Sequence, residues 1–235
     1  MAMGRPLDHT LARASALPPT STLAGVLPPI PPGELLPKFE AELTSVAGVP
    51  HRAASRQELE ELLRVILFQA KADSVVLSRN PLLKQLGLEA QLRDLKMSVT
   101  VWPATEDGAL PAAETSHGAF AKASFAANVG ITGVDFALAE TGSLVVTSWT
   151  EGAQLASLAP PVHVALYRAS QLVATLDEAL ERLRVACASR EAAWGRSVVF
   201  ITGTSRTADI EQILIRGVHG PGEVHVILVE DDCFG

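Results

Sequence analysis

The amino-acid sequence predicts an α/β fold: a mostly parallel, open sheet with helices on both faces. Two observations favour this class. Short apolar segments of strand length alternate with segments whose apolar residues recur at helical spacing. Two of the helical segments begin with a capping box, in which a serine or threonine precedes a glutamate by three residues. A chain of 235 residues, 48% hydrophobic, can bury roughly 70% of its unfolded surface, so its core needs no disulfide or metal.

Residues 1–45 differ from the remainder in their proline content. Proline removes a backbone donor and fixes φ, which disfavours helix and central strand. The clustered prolines are Pro18, Pro19, Pro28, Pro29, Pro31, Pro32 and Pro37. We interpret residues 1–45 as a proline-rich tail, either flexible or an arm that lies on a neighbouring molecule, with a short helix at Leu35–Leu43. Residues 46–235 are interpreted as the folded domain.

The predicted elements follow in chain order. Ser55 and Glu58 form the first capping box, and the helix that they open has one apolar face. That face consists of Leu59, Leu62, Leu63, Ile66, Leu67 and Ala70. Next come a strand at Asp73–Ser78, a helix from Asn80–Pro81 to Gly87, a strand at Met97–Trp102, a helix at Glu114–Ala127 and a strand at Asn128–Ile131.

The second half continues this alternation. It is predicted to begin with a short helix from Thr132–Asp135 to Ala139, followed by strands at Ser143–Ser148 and Val162–Tyr167. A helix opened by the capping box Thr175–Glu178 comes next. Strands at Ser197–Thr202 and Glu223–Val229 then flank a helix at Ala208–Arg216. Ligands of such sheets bind at the C-terminal ends of the strands. The loops at those ends are therefore the candidate sites.

Composition and charge exclude several functions. With 19 lysines and arginines against 26 aspartates and glutamates, the net charge is −7, which disfavours binding to nucleic acid or an anionic membrane. Cys187 and Cys233 are too few for a disulfide framework or a four-thiolate iron–sulfur site, and indicate reduced thiols of a cytoplasmic protein. No apolar run approaches ~18 residues, no apolar signal segment follows Arg5 and Arg13, and no histidine spacing predicts a metal site.

The first candidate loop runs from Gly130 to Ser143. Its candidate residues are Thr132, Glu140, Thr141 and Gly142. The carboxylate of Glu140 directly precedes a buried strand and could act as nucleophile or base in a shielded pocket. The alternative is that Glu140 only orients the turn. Asp135 is interpreted as the cap of the predicted short helix.

The second candidate loop opens the predicted helix at Ala208. Glycine permits close approach of a ligand, and free amides at a helix N-terminus attract anions. The candidate anion-binding residues are Gly203, Thr204, Ser205, Arg206, Thr207 and Asp209. The lysine and spacing of a P-loop are missing, and Asp209 and Glu211 already complement the helix dipole. Anion binding and plain N-capping by Ser205 or Thr207 are equal alternatives.

The third candidate loop is Gly217–Gly222, where Gly217 fits the position after a helix. His219 is a candidate for proton exchange near neutral pH, and Gly220 is included among the candidate ligand-binding residues. The alternative for His219 is donation to a neighbouring carbonyl. His163 and His225 lie in apolar strands and are interpreted as structural.

Together with the segment Leu158–His163, these three loops resemble the LUD domain family, and more closely its lactate utilisation proteins of the C type (LutC or YkgG). The resemblance covers about residues 50–235. It implies a fold of the NagB, ribose-5-phosphate isomerase and CoA-transferase kind. It also implies a role in oxidising L-lactate to pyruvate with iron–sulfur partner proteins of the LutA and LutB type. With two cysteines, this chain is expected to bind no cofactor, so iron–sulfur clusters would belong to the partners.

The resemblance further implies one shared site. Its residues would be Glu140, Ser205, Thr207, Asp209 and His219. The resemblance carries over no catalytic role, and Glu140 and His219 are the catalytic candidates on their local sequence alone. Two features depart from the family: the proline-rich tail, and the segment Trp149–Leu155, which lacks an expected arginine and has Gln154 as its nearest polar residue. If that arginine binds an anionic substrate, this chain binds a different ligand or binds it weakly.

Two other functions stay open. One is an independent enzyme on the CoA-transferase-like scaffold that acts on a CoA thioester or a sugar phosphate. The other is a non-catalytic module that binds a small carboxylate. The sequence also leaves open whether the protein forms a homo-oligomer.

Overall fold

The strands of the protein belong to three sheets in the computed structural model, which describes residues 29–102, 114–152, 154–188, 197–208 and 214–234. In chain order they are β1 (Gly48–Ala53), β2 (Ser74–Leu77), β3 (Ser98–Val101), β4 (Val129–Thr132), β5 (Phe136–Leu138), β6 (Ser143–Thr147), β7 (Val162–Tyr167), β8 (Leu172–Val173), β9 (Val198–Ile201), β10 (Arg206–Ala208), β11 (Leu214–Arg216) and β12 (Glu223–Val229).

The central sheet has six strands in the order β1–β12–β7–β4–β2–β3. Every neighbouring pair in it is parallel. A smaller sheet has the order β8–β5–β6–β9, and β10 pairs with β11 in an antiparallel ribbon. Strands buried on both faces consist of continuous apolar runs, which is why β2, β4 and β7 were recognisable in the sequence.

Helices cover both faces of the central sheet. They are α1 (Leu35–Ser45), α2 (Arg56–Gln69), α3 (Pro81–Gln85), α4 (Leu88–Asp94), α5 (Glu114–Ala126), α6 (Ser148–Glu151), α7 (Leu155–Leu158) and α8 (Leu176–Ala188). Three 3₁₀ turns lie at Pro32–Glu34, Ala169–Gln171 and Asp231–Cys233. Helices α2, α3 and α4 share a core with Val75 and Leu77 of β2, whereas Phe120 of α5 and Ala156 of α7 pack with Val76 on the opposite face. This arrangement confirms the predicted fold class.

The two capping boxes begin helices as predicted. Glu58 donates its backbone N–H to the Ser55 hydroxyl at 3.2 Å, and Glu178 donates its own to the Thr175 hydroxyl at 3.3 Å. Each glutamate returns a hydrogen bond to the residue before the cap, since its carboxylate accepts the N–H of Ala54 or Ala174 at 2.8 Å. These contacts satisfy amide groups that a helix start leaves free.

The short helix predicted at the end of the tail is confirmed as α1, whose Phe39 and Leu43 are fully buried. The boundary between residues 45 and 46 stays a prediction. Helix α4 was not predicted, because only one helix, ending at Gly87, was expected between the strands at Asp73–Ser78 and Met97–Trp102. Among the described residues, no helix combines the length and hydropathy needed to cross a bilayer.

The short helix predicted from Thr132–Asp135 to Ala139 is wrong. Phe136–Leu138 is strand β5, which pairs antiparallel with β6 and parallel with β8. Asp135 caps no helix of its own. Its carboxylate accepts hydrogen bonds from the Thr147 N–H at 2.7 Å and the Thr150 hydroxyl at 2.9 Å. Pairing on both sides of β5 overrides the local cap-like pattern.

The helix predicted at Ala208–Arg216 is also wrong. Arg206–Ala208 and Leu214–Arg216 form the β10–β11 ribbon, in which Arg206 pairs with Arg216. Residues 209–213 lie outside the described residues. Gly217 therefore follows a strand, and neither Ser205 nor Thr207 caps a helix at 208. The β-branched residues in this segment favour a strand, although their spacing is also compatible with a helix.

Candidate functional site

The central sheet reverses its winding between β2 and β4. From β2 the chain moves outward to β3, whereas from β4 it continues to β7 and β12 on the other side. Ligands of open α/β sheets bind beyond the C-terminal ends of the strands at such a topological switch point. Here the two strands end at Leu77 and Thr132, so Ser78–Asn80 and Gly133 lie at the switch point.

Glu151, the last residue of α6, joins these two strand ends. Its Oε2 accepts hydrogen bonds from the Ser78 hydroxyl at 2.5 Å and from the Gly133 N–H at 3.1 Å. Its Oε1 accepts a hydrogen bond from the side-chain amide of Asn80. Glu151 is only 1% exposed. We call Ser78, Asn80, Gly133 and Glu151 the carboxylate clamp.

The clamp perturbs the acidity of its carboxyl group. Burial raises the pKa of Glu151 from 4.5 to about 7, and the hydrogen bonds from Ser78 and Asn80 oppose that rise. The negative charge of Asp135 raises the pKa further, since like charges disfavour ionisation. A carboxyl group with a pKa near 7 exchanges its proton around neutral pH, as a general acid or base must.

The clamp requires glycine at position 133. A Cβ there would lie 2.3 Å from the side-chain Cγ and Nδ2 of Asn80, far inside van der Waals contact. Asn80 has little freedom to move, because its Oδ1 accepts the Leu82 N–H at 2.9 Å at the start of α3. Gly133 thus lets the end of β4 approach the end of β2.

A cavity of about 450 Å³ lies beyond the ends of β2 and β3, and we call it the β2–β3 cavity. Ser78 and Asn80 of the clamp line it, together with the cationic residues Arg79, Lys84 and Arg93. The Arg79 guanidinium donates to the Trp149 carbonyl at 2.7 Å. The cavity therefore adjoins the clamp through its hydroxyl and amide side chains.

Thr132, a predicted ligand-binding residue, lies beside the clamp but is occupied. Its hydroxyl and the His163 Nε2 share a hydrogen bond of 2.9 Å, and both residues are buried. Burial lowers the pKa of His163 to about 3, so the imidazole is neutral near neutral pH. The Nδ1 atom of His163 has no partner among the described residues. A structural role for His163 agrees with these contacts.

Glu140, the predicted nucleophile or base, contacts a helix start. Its Oε2 accepts the Leu176 N–H at 3.0 Å, at the first residue of α8. Among the described residues, no hydrogen bond joins Glu140 to His219, which is exposed. The contact matches the alternative in which Glu140 orients local structure, and the catalytic roles of both residues stay predictions.

The first and second loops do meet, through hydroxyl groups. Thr141 donates to the Ser143 hydroxyl at 2.8 Å, and that hydroxyl shares a hydrogen bond of 2.7 Å with Thr202. Gly142 has φ +63°, and a Cβ on it would lie 2.2 Å from the backbone nitrogen of Leu43. Gly142 therefore has a packing reason to be glycine.

The second and third loops also meet. Ser205 donates its N–H to the Pro221 carbonyl at 2.9 Å and accepts the Gly217 N–H at 3.1 Å through its own carbonyl. A Cβ on Gly220 would lie 3.2 Å from the Ser205 Cβ. The structure thus brings Ser205 and Gly220 together, but the helix that was expected to supply free amides is a strand.

The other residues of the second loop differ in burial, and Asp209 lies outside the described residues. Thr204 is buried, its N–H donates to the Val46 carbonyl at 3.4 Å, and its hydroxyl has no partner among the described residues. Gly203 precedes it, and Arg206 is exposed. Thr207 belongs to β10, and Asp209 lies outside the described residues. Anion binding by this loop stays a prediction.

His225, interpreted from the sequence as structural, pairs with a second histidine at the other edge of the sheet. The His51 Nε2 lies 3.0 Å from the His225 Nδ1, and the two rings stack with their centroids 5.2 Å apart. The His225 Nε2 is 3.6 Å from the Glu223 carboxylate. Burial lowers the pKa of both histidines. This pair joins β1 to β12 and is remote from the switch point in the sheet order.

Sequence reasoning missed Ser78, Asn80 and Glu151. A usable signal existed for the first two, because they follow a predicted strand and strand ends are where ligands bind. No local spacing marks Glu151, whose three partners are distant in sequence. Gln154 is the polar residue nearest to the position where an arginine was expected. Its Oε1 accepts a hydrogen bond from the Ser197 hydroxyl at 3.0 Å.

The chain resembles known proteins over most of its length. A family model described as the LUD domain matches residues 36–229. Lactate utilization protein C of Halalkalibacterium halodurans is 32% identical over 173 residues, which is 74% of this chain and 70% of that protein. The protein of the same name from Anoxybacillus flavithermus is 30% identical over 175 residues, 74% of this chain and 71% of its own.

A solved structure resembles the chain as well. The crystal structure of a DUF162 family protein from Deinococcus radiodurans superposes with a TM-score of 0.57 at 21% identity, covering 86% of this chain and 100% of that one. At that identity the likeness establishes the fold. Residues outside the matched regions include much of the proline-rich tail.

Proposed function

Because the chain belongs to the LUD domain family and, within it, to the lactate utilization protein C group, we propose that it is a component of L-lactate oxidation to pyruvate and works with iron–sulfur partner proteins. The observation that carries the site is the carboxylate clamp at the switch point. It lies beside a cavity that three cationic side chains line. A proton-exchanging group thus adjoins space for a small carboxylate.

The proton chemistry centres on Ser78. Oxidation of L-lactate breaks the C2–H and O–H bonds, forms a C=O bond and releases two protons and two electrons. Ser78 lines the cavity and donates its own hydrogen to Glu151 at 2.5 Å. Its oxygen can therefore accept the hydroxyl proton of lactate while its hydrogen passes to an ionised Glu151. The C2 proton is released to water as the two electrons leave the substrate for the electron acceptors. Glu151 acts through Ser78, which makes it a positioning and proton-holding residue.

The lactate carboxylate would bind at Arg79. This residue directly follows Ser78, lines the same cavity and is held by its bond to the Trp149 carbonyl. A guanidinium has five N–H donors, and charge-assisted hydrogen bonds to a carboxylate are about twice as strong as neutral ones. Lys84, at the exposed side of the cavity, adds positive charge.

The two electrons need an acceptor. Iron–sulfur clusters are usually held by four thiolates, and the chain contains two cysteines. Cys233 is buried, and its thiol donates to the Ala53 carbonyl at 3.3 Å. We therefore assign electron transfer to oxidised iron–sulfur clusters of partner proteins, each cluster taking one electron. In this proposal, this chain provides the acid–base site and the partner proteins accept the electrons.

Co-purification and turnover test this proposal. Anaerobic affinity purification of the tagged chain from lactate-grown cells should recover a cysteine-rich iron–sulfur protein. The reconstituted mixture should then form pyruvate from L-lactate. Ser78→Ala should lower kcat at least tenfold and Glu151→Gln should remove the pH dependence near 7, whereas Ser98→Ala, at an exposed serine of β3, should leave both unchanged.

Two outcomes would overturn the proposal. One is pyruvate formation that continues at the same rate when this chain is omitted. The other is a mixture that requires the chain but responds equally to Ser78→Ala and Ser98→Ala, which would move the site away from the clamp.

A further inference from the structure

The β2–β3 cavity is larger than lactate needs. Its volume is about 450 Å³, whereas L-lactate has only six non-hydrogen atoms. Even at the roughly 30 Å³ that each water molecule occupies in the liquid, six atoms would fill well under half of that space. Cavities of roughly 300–1,000 Å³ are typical of sites for drug-sized ligands.

The lining of the cavity divides into an apolar floor and a charged rim. Leu77, Leu83 and Leu88 on the floor are each at most 3% exposed, and Trp102 is 8% exposed. Lactate, with a carboxylate, a hydroxyl and one methyl group, would leave this floor unmatched. Val101, which also lines the cavity, is half-buried. An apolar body lying against Val101 and Trp102 would remove both surfaces from water, which is favourable at about 25 cal/mol per Å².

The rim carries net positive charge. Lys84 and Arg93 are exposed and line the cavity. Among the described residues, Glu89 is the one acidic residue of the lining, and its carboxylate lies 2.7 Å from the Arg93 guanidinium. Of the described rim residues, Lys84 and Arg93 are cationic and Glu89 is anionic, so this part of the rim favours an anion.

The position of the cavity supports a ligand site. Leu77 and Val101 are the last residues of β2 and β3 and both line it. The C-terminal ends of parallel strands next to a topological switch point are where ligands of such sheets bind. Size, lining, charge and position thus agree.

We propose that the β2–β3 cavity binds an amphipathic organic anion larger than lactate. Its apolar body lies against Val101 and Trp102, above the buried leucines of the floor, and its carboxylate or phosphate group lies at Lys84 and Arg93. The inference shares its cavity with the proposed function but does not rest on lactate turnover or on any partner protein. It names a second ligand class for the same edge of the sheet.

Fluorescence titration of the full chain tests the proposal. The probe is 8-anilinonaphthalene-1-sulfonate, an amphipathic anion, and its neutral analogue N-phenyl-1-naphthylamine separates the apolar contribution from the charged one. Ala90 is an exposed cavity residue on α4, so Ala90→Trp fills the cavity from its rim. Ala119→Trp, at an exposed alanine of α5, is the matched control.

The expected result is one binding site for the anionic probe, with affinity at least tenfold weaker in Ala90→Trp and unchanged in Ala119→Trp. Lys84→Met should weaken the anionic probe about threefold and leave the neutral analogue unchanged. Lys122→Met, at an exposed lysine of α5, should affect neither. Equal affinity in Ala90→Trp and Ala119→Trp would place the bound probe elsewhere and overturn the proposal. Equal loss of both probes in Lys84→Met would overturn its anionic part.

Discussion

Glu151→Gln is expected to change how the free energy of unfolding depends on pH. In the folded chain, burial raises the pKa of Glu151 from 4.5 to about 7, whereas in the unfolded chain the carboxyl has its ordinary pKa. The folded chain therefore holds this proton more tightly. The stabilising contribution of the group is complete below the unfolded pKa of 4.5 and is lost as the pH rises through about 7.

The size of the effect follows from the two pKa values. Their difference corresponds to about 3 kcal/mol at about 1.4 kcal/mol per pKa unit, and roughly 2.5 kcal/mol of it falls between pH ~5 and ~8. Glutamine does not titrate, so the free energy of unfolding of the variant minus that of the parent should rise by about 2.5 kcal/mol over this range. At the acidic end the variant should be the less stable, because its amide N–H₂ would face the Asn80 amide donor.

Urea unfolding at several pH values, followed by circular dichroism, measures this difference. Glu61→Gln, at an exposed glutamate of α2, is the matched control, and its difference from the parent should stay constant. Taking the difference between variant and parent also removes the contribution of the buried histidines, whose effect on the pH dependence of the free energy of unfolding has the opposite sign. A constant difference for Glu151→Gln would mean that Glu151 is ionised throughout this range, and the proton-holding role would then be wrong.

Three further changes have defined outcomes. Gly133→Ala should destabilise the fold by about 1–3 kcal/mol, because its Cβ would overlap Asn80. Gly118→Ala is the control and should not destabilise the fold, because nothing lies within 4 Å of the new Cβ. Urea unfolding measures the free energy of unfolding of both variants. Glu140→Ala should lower Tm by about 2–4 °C, since it removes a cap of about 1 kcal/mol from α8; an unchanged melting curve would contradict this. His163 has its pKa lowered to about 3 from 6.5, so its contribution is present above pH 6.5 and is lost as the pH falls. His163→Gln should therefore reduce the loss of stability on acidification to pH ~4 by about 3 kcal/mol, and acid unfolding identical to the parent would refute it.

Much of the fold was predictable because its signals are local. The serine and threonine caps at residues 55 and 175 bind the glutamates three residues on, and apolar runs such as Val162–Tyr167 became buried strands. Each of these features is determined by residues that lie within a few positions of one another in the sequence. The family resemblance, carried by ordered loops, was confirmed by the match over residues 36–229.

The errors arose where distant strands decide the local structure. Phe136–Leu138 is a strand because β6 and β8 flank it, and Leu214–Arg216 is a strand because it pairs with β10. The clamp was not predicted for the same reason, since Glu151 accepts hydrogen bonds from residues at the ends of two strands that are distant in sequence. A pattern of residue types at fixed spacing cannot report a contact that only the strand order creates.

The strand order also bears on how the chain can fold during synthesis. The first strand of the central sheet pairs with the last, so that Gly48 lies beside Val224. Until β12 has left the ribosome, β1 has no described strand to pair with, and the edge of β7 that β12 later covers is bare as well. Contacts this far apart in sequence slow folding and leave unpaired edges exposed to other chains. Completion of the sheet therefore waits for the synthesis of β12, and until then the edges of β1 and β7 are open to non-native pairing.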